Sequence, residues 1–171
     1  MNVNFSSEQF LETGLPARLI ESLDEAGLDP RHLVAEITER TAISNFTLTA
    51  TVLEQLRSAG IRVVLDDFGT GYSSLSCLHQ LPISGLKLDP SLVRDDSRRP
   101  GVLRAVVSIT ESLNLTLTAE GVETVDQGRH LRALGCHFAQ GFLFAPALDA
   151  AIAERLIAGQ RAFLPPSMLV A

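Results

Sequence analysis

The sequence lacks tryptophan, contains only two cysteines and has no long apolar run. Cys77 and Cys136 lie far apart without paired spacing, so neither a disulfide framework nor a thiolate zinc site is indicated, and buried free thiols are the preferred interpretation. No stretch of about 18 apolar residues occurs, and the start MNVNFSSEQF has neither a basic region nor an apolar signal core. We therefore expect a soluble protein that stays in the cytoplasm.

Positive charge is also scarce. The formal net charge is -6, and no basic cluster exists beyond residues 95–99, which argues against binding to DNA or to an anionic membrane through charge. A length of 171 residues with 46% hydrophobic residues fits one globular domain. We expect residues 1–160 to form this domain and residues 161–171, which contain Pro165 and Pro166, to be a C-terminal tail.

Short apolar runs alternate with longer segments of helical spacing, a pattern typical of repeated βα units around a parallel sheet. In one helical segment Leu48, Val52, Leu53 and Leu56 share a face, and a helix end is predicted at Gly60. The predicted strands are 2–5, 33–37, 62–66, 85–89, 115–120 and 137–142.

Side-chain parity along these strands indicates the architecture. Alternate side chains face opposite sides, so Leu86 and Leu88 oppose Lys87, while Val63 and Leu65 oppose Asp66. One apolar face and one face with a polar residue near the strand end favour a barrel over an open doubly wound sheet, which is apolar on both faces. A complete barrel has eight strands and about 250 residues. We therefore expect an α/β fold, an incomplete TIM-like (β/α) barrel with about six strands that lacks its N-terminal part.

The segment VVLDDFGTGYSSL places two adjacent aspartates, Asp66 and Asp67, at the end of an apolar strand. Two neighbouring carboxylates repel each other there unless a cation or donor compensates them. The polar residues expected at the same rim are Asn4, Glu36, Asp66, Asp67, Lys87, Glu120 and Gln140, and Glu39 and Glu123 each follow a strand-end glutamate by three residues. Oxygen ligands without histidine or cysteine suit Mg²⁺ or Mn²⁺, and the set is large enough for two ions.

Such a pair of ions clamps the attacking and leaving oxygens of a phosphodiester during displacement by water. Lys87 can then hold the water or neutralise developing charge, and Gln140 can orient it. Any one of these carboxylates could instead be a solvated loop residue or a helix cap, and their shared inward parity argues for a common site. An aldolase-like barrel with Lys87 as a Schiff-base lysine is a further reading, which the surrounding carboxylates disfavour because they stabilise the protonated amine.

Six motifs in order carry a family resemblance. They are NVNFSSEQF, AEITERT, VVLDDFGTGYSSL, LPISGLKLDPSLV, LTAEGVET and CHFAQGFLFAPAL. Together they resemble the EAL domain family, bacterial phosphodiesterases that open cyclic di-GMP to linear pGpG, over about residues 2–148.

The resemblance implies roles for individual residues. The implied metal ligands are Asn4, Glu36, Asp66, Asp67 and Glu120, and the implied catalytic group comprises Lys87, Glu120, Gln140 and Glu123. Lys87 would hold or activate the hydrolytic water. Glu39 would anchor the loop of residues 68–74 after the aspartate pair, and that loop couples the active site to dimerisation in the family, which implies a homodimer through it.

The glutamate of the E-A-L signature, a metal ligand in the family, and the arginine that follows it have no counterpart in these 171 residues. The chain thus resembles the C-terminal two-thirds of an EAL domain, and we expect its isolated activity to be impaired. A non-catalytic module that binds cyclic di-GMP or docks a protein partner is the alternative, and calorimetry that shows binding without product would favour it.

Overall fold

The computed structural model describes residues 1–69, 75–94 and 101–158, which form strands and helices in alternation. The strands are β1 (Asn2–Asn4), β2 (Val34–Thr38), β3 (Arg62–Phe68), β4 (Gly85–Leu88), β5 (Thr116–Ala119) and β6 (Phe138–Ala139). The helices are α1 (Ser7–Phe10), α2 (Leu15–Glu25), α3 (Glu39–Ser44), α4 (Phe46–Ser58), α5 (Leu75–Gln80), α6 (Pro90–Arg94), α7 (Val102–Ser112), α8 (Val125–Leu134) and α9 (Ala150–Ala158). The predicted tail, residues 161–171, lies outside the described residues.

All six strands form one parallel sheet in the order β1-β2-β3-β4-β5-β6. Each strand therefore lies beside the next strand along the chain, and the order never reverses as it does in a doubly wound sheet. This topology confirms the incomplete TIM-like (β/α) barrel. Because the strands are parallel, their carboxyl ends meet at one rim.

The outward face of the sheet forms the core. Its alternate apolar residues are each at most 1% exposed: Ala35, Ile37, Val63, Leu65, Leu86, Leu88, Leu117 and Ala119. The predicted parity is thus confirmed, and it leaves Glu36 and Lys87 on the opposite face.

Helix α4 follows the sequence pattern with one exception. Val52, Leu53 and Leu56 are buried, and the helix ends at Ser58 before Gly60, whose φ of 89° suits a residue without a side chain. Leu48 is 39% exposed, so its assignment to the buried face was wrong. It lies in the first turn, where its backbone N–H donates to the Asn45 side chain that caps the helix.

Two strand ends differ from the prediction by more than one residue. Strand β3 continues past Asp66 to Phe68, and β6 stops at Ala139, so a strand through residue 142 was wrong. The chain turns at Gly141, whose carbonyl accepts a hydrogen bond from the Phe144 N–H at 3.1 Å. No helix within the described ranges is long and apolar enough to cross a membrane.

Candidate active site

Four strand ends meet around one lysine. Lys87, the only lysine in the sequence, projects from β4 on the face opposite the helices. Its Nζ lies 2.7 Å from Glu120 Oε1, 2.8 Å from Glu36 Oε2 and 3.3 Å from Asp66 Oδ1. The side chains of Lys87 and Glu36 are 7% and 4% exposed, so the ammonium and this carboxylate are shielded from water. We call Glu36, Asp66, Asp67, Lys87 and Glu120 the Lys87 cluster.

A β-bulge brings the two adjacent aspartates to the same place. Leu65 pairs with Leu86 and Phe68 pairs with Leu88, so two residues of β3 stand opposite Lys87 alone. Asp67 takes the extra position with φ 54°, a left-handed conformation that residues other than glycine seldom adopt. In a regular strand its side chain would point away from that of Asp66. Because of the bulge, oxygens of Asp66, Asp67 and Glu120 all lie within 4.8 Å of one another.

Charge in the Lys87 cluster is unbalanced. Four carboxylates and one ammonium leave a formal charge of -3 when all are ionised. Burial raises the pKa of Asp67, and the charges of Asp66 and Asp89 raise it further. Burial also raises the pKa of Glu120, although the hydrogen bond from Lys87 opposes this change. The cluster thus lacks positive charge, which a bound cation would supply.

Lys87 itself is held in the protonated form. Burial would lower its pKa, but hydrogen bonds to Glu120 and Glu36 and the charge of Asp66 outweigh burial, so the pKa lies above the usual value. The pKa of Lys87 rises because several carboxylates surround its one ammonium, whereas that of Glu120 rises chiefly because of burial. A Schiff-base lysine reacts as the neutral amine, so this environment argues against the aldolase-like reading.

Amine labelling tests this environment because Lys87 and the N-terminus are the only primary amines. With an amine-reactive acetylating reagent at pH 8, we expect Lys87 in the folded protein to react at least about tenfold more slowly than a free lysine, since burial and a raised pKa both deplete the neutral amine. Mass spectrometry of peptides gives the rates. Equal labelling rates in native buffer and in urea would contradict the proposed shielding.

Glu39 lies beside the chain that leaves β3. This glutamate is 7% exposed, and the backbone N–H of Gly69 is 3.5 Å from its Oε2. Gly69 is left-handed with φ 103°, and a Cβ at this position would lie 2.4 Å from Leu92 Cδ1. The contact supports the predicted anchoring of this loop by Glu39. Residues 70–74 of the loop lie outside the described part of the chain.

Asn4, Glu123 and Gln140 lie at the rim but are exposed. Asn4 pairs in register with Glu36 at the end of β1. Within the described residues, no ion pair or hydrogen bond joins the side chain of Glu123 or Gln140 to the Lys87 cluster. Their backbones are nevertheless close to Glu120, because the Gln140 N–H donates to Ala119 O at 2.8 Å and its carbonyl accepts from the Val122 N–H at 3.1 Å.

Gly141 allows these two rim segments to approach each other. An added Cβ would lie 2.2 Å from Val122 O and 2.3 Å from Val122 N, and backbone atoms cannot move aside as a flexible side chain can. We expect Gly141→Ala to lower the free energy of unfolding by roughly 1–3 kcal/mol or more, measured by urea denaturation. The control is Gly101→Ala, because Gly101 has φ -98° and no atom of the described residues lies within 4 Å of its added Cβ. Equal unfolding midpoints for the two variants would contradict the close approach.

Asn2 also contacts the Lys87 cluster, and the sequence patterns did not single it out. Its Nδ2 donates to Glu36 Oε1 at 2.6 Å. The available signal was parity, since Asn2 and Asn4 are two residues apart in β1 and share the inward face.

Comparison with known proteins identifies relatives along nearly the whole described chain. The family model described as EAL domain matches residues 1–147. The bifunctional diguanylate cyclase/cyclic di-GMP phosphodiesterase MucR of Pseudomonas aeruginosa is 41% identical over 159 residues, which cover 91% of this chain and 23% of MucR. The chain thus spans less than a quarter of the length of MucR.

Solved structures share the fold. The MucR phosphodiesterase in complex with cyclic di-GMP has a TM-score of 0.85 at 40% identity, covering 89% of this chain and 63% of that one. The EAL domain of Mycobacterium smegmatis DcpA has a TM-score of 0.88 at 36% identity, covering 94% and 73%. A manganese and cyclic di-GMP complex of Klebsiella pneumoniae BlrP1 has a TM-score of 0.78 at 36% identity, covering 85% and 38%.

Proposed function

Since this chain belongs to the EAL domain family, we propose that its Lys87 cluster binds divalent cations and cyclic di-GMP and hydrolyses that dinucleotide to linear pGpG. The observation that carries the proposal is the approach of oxygens from Asp66, Asp67 and Glu120 within 4.8 Å of one another, next to the buried ammonium of Lys87. The related MucR and BlrP1 structures with cyclic di-GMP support this choice of substrate.

The ligand chemistry of the site fits Mg²⁺ or Mn²⁺. The close group contains only carboxylate oxygens, which these hard cations prefer, and its excess negative charge favours cation binding. We propose that two ions are held by Asn4, Glu36, Asp66, Asp67 and Glu120. Bound there, divalent cations would neutralise the phosphodiester and stabilise its attacking and leaving oxygens.

The residues of this chain then have separate tasks. Lys87 donates hydrogen bonds from a fixed ammonium, which can hold the hydrolytic water and stabilise negative charge that develops on phosphate. Glu36 and Glu120 keep the ammonium in place through contacts of 2.8 and 2.7 Å. We propose that Glu123 and Gln140, which are exposed at the same rim, orient water or substrate.

Further proposals concern the surroundings of the site. Residues 1–160 would form the phosphodiesterase region, with residues 161–171 as a tail. The loop after Asp67, tethered at Gly69 to Glu39, would contribute to a homodimer. Because cyclic di-GMP is a second messenger of bacterial cells, we propose that the protein acts in the cytoplasm. The net charge of -6 supports the further proposal that it does not bind DNA.

One experiment tests the function directly. The protein is incubated with cyclic di-GMP and Mn²⁺, with Mg²⁺, or with a chelator, and products are separated by chromatography while calorimetry measures binding. Formation of pGpG only with a metal is the expected result. Binding without product would instead support the regulatory module, and neither binding nor product would reject the substrate.

A further inference from the structure

We propose that Asn2 is a positioning residue of the metal site, whose side-chain amide fixes the carboxylate of Glu36. The inference rests on the proposed function, because it concerns the affinity of the Lys87 cluster for divalent cations. It adds a residue that no motif used above assigns to the site.

The two oxygens of Glu36 have different donors. Oε1 accepts from Asn2 Nδ2 at 2.6 Å, and Oε2 accepts from Lys87 Nζ at 2.8 Å. Glu36 is 3% exposed, so little water reaches its carboxylate, although Asn2 is itself exposed on its other side. Since a buried carboxylate without its hydrogen bonds is costly, both contacts determine how this side chain is oriented.

The identity of the donor matters. Lys87 adds a positive charge beside Glu36, whereas the amide of Asn2 is neutral and leaves the negative charge of the carboxylate available. By holding Oε1, Asn2 directs Oε2 toward Lys87 and the other carboxylates. When a group that orients a metal-binding side chain is removed by mutation, metal affinity commonly falls by about 10- to 100-fold.

The backbone around Asn2 holds its amide in place. The Val34 N–H donates to Met1 O at 2.8 Å, and the Phe5 N–H donates to Glu36 O at 2.9 Å. These bonds fix β1 against β2 on both sides of Asn2, with Asn2 paired to Val34 and thus two residues away from Glu36 in register. The amide therefore reaches Glu36 across the sheet from a strand whose register is set by its main chain.

The test measures Mn²⁺ affinity by calorimetry without nucleotide, together with the unfolding temperature in a chelator. We expect Asn2→Ala and the near-isosteric Asn2→Leu to weaken Mn²⁺ binding about 10- to 100-fold. Asn2→Gln retains an amide donor and should recover part of the affinity. The control is Asn45→Ala, which removes an asparagine that caps α4 away from the cluster, and should lower the unfolding temperature without changing Mn²⁺ affinity.

The outcomes separate the two proposals. Saturable binding by the unmodified protein with equal affinity in Asn2→Ala and Asn2→Leu would overturn the role of Asn2 and leave the proposed function intact. Equal losses in Asn2→Ala and Asn45→Ala would also overturn it, because they would reflect stability alone. If the unmodified protein bound no Mn²⁺, both proposals would be rejected.

Discussion

Asp66→Ala is expected to reduce the formation of pGpG from cyclic di-GMP by about 10³-fold or more in the presence of Mn²⁺. Asp66 contacts Lys87 at 3.3 Å, and like Glu120 it belongs to the group of carboxylates whose oxygens lie within 4.8 Å of one another. Its loss removes a ligand from the centre of the proposed metal site, where bound cations supply several kcal/mol of transition-state stabilisation. Each 1.36 kcal/mol corresponds to about a tenfold change in rate. Product chromatography over time measures the effect.

The matched control is Asp126→Ala. Asp126 is an aspartate in the first turn of α8 with a side chain that is 95% exposed, so its removal should leave the rate unchanged. The fold of Asp66→Ala should also persist, since the substitution relieves repulsion that raises the pKa of Asp67. Turnover by Asp66→Ala at a rate near that of the control would contradict the role assigned to this aspartate.

Lys87→Met is expected to lower the free energy of unfolding by about 3–5 kcal/mol in the presence of a chelator, because it leaves buried carboxylates without their cation. The lost contacts are those to Glu36, Asp66 and Glu120. Urea denaturation measures the change. Mn²⁺ should restore part of the lost stability in Lys87→Met, because cations that bind the folded state alone shift unfolding by mass action.

An exposed ion pair supplies the comparison for Lys87→Met. Arg57 contacts Glu54 at 2.6 Å with a side chain that is 64% exposed, so Arg57→Met should change stability by less than about 1 kcal/mol. If Lys87→Met were no less stable than Arg57→Met in a chelator, the stability of the Lys87 cluster would not depend on the ammonium of Lys87.

The inward face was accessible from sequence because it depends on period-two alternation, and the strand order because repeated βα units indicate a barrel. Leu86 and Leu88 are buried under the helices while Lys87 projects to the other side, as the pattern predicts. The same rule placed Glu36 and Asp66 on the inward face with Lys87, and the structure shows that both contact it. The carboxyl ends of parallel strands meet at one rim, so the sequence alone could assign residues that are distant along the chain to one site.

Other features depend on local backbone geometry that alternation does not encode. Alternation separates Asp66 from Asp67, and only the bulge with left-handed Asp67 brings them together. The strand predicted over residues 137–142 is too long, because β6 ends at Ala139 and the chain turns at Gly141. The contact from Asn2 to Glu36 joins side chains of two neighbouring strands. Parity places both side chains on the inward face, but it does not predict that they form a hydrogen bond.

The most direct measurement of the central claim is manganese anomalous diffraction from crystals grown with Mn²⁺ and cyclic di-GMP. Our account predicts anomalous peaks bound by the carboxylates of Asp66, Asp67 and Glu120, with the phosphodiester of the dinucleotide beside them. Saturating Mn²⁺ with no peak at these carboxylates, or cyclic di-GMP bound elsewhere on the protein, would contradict it.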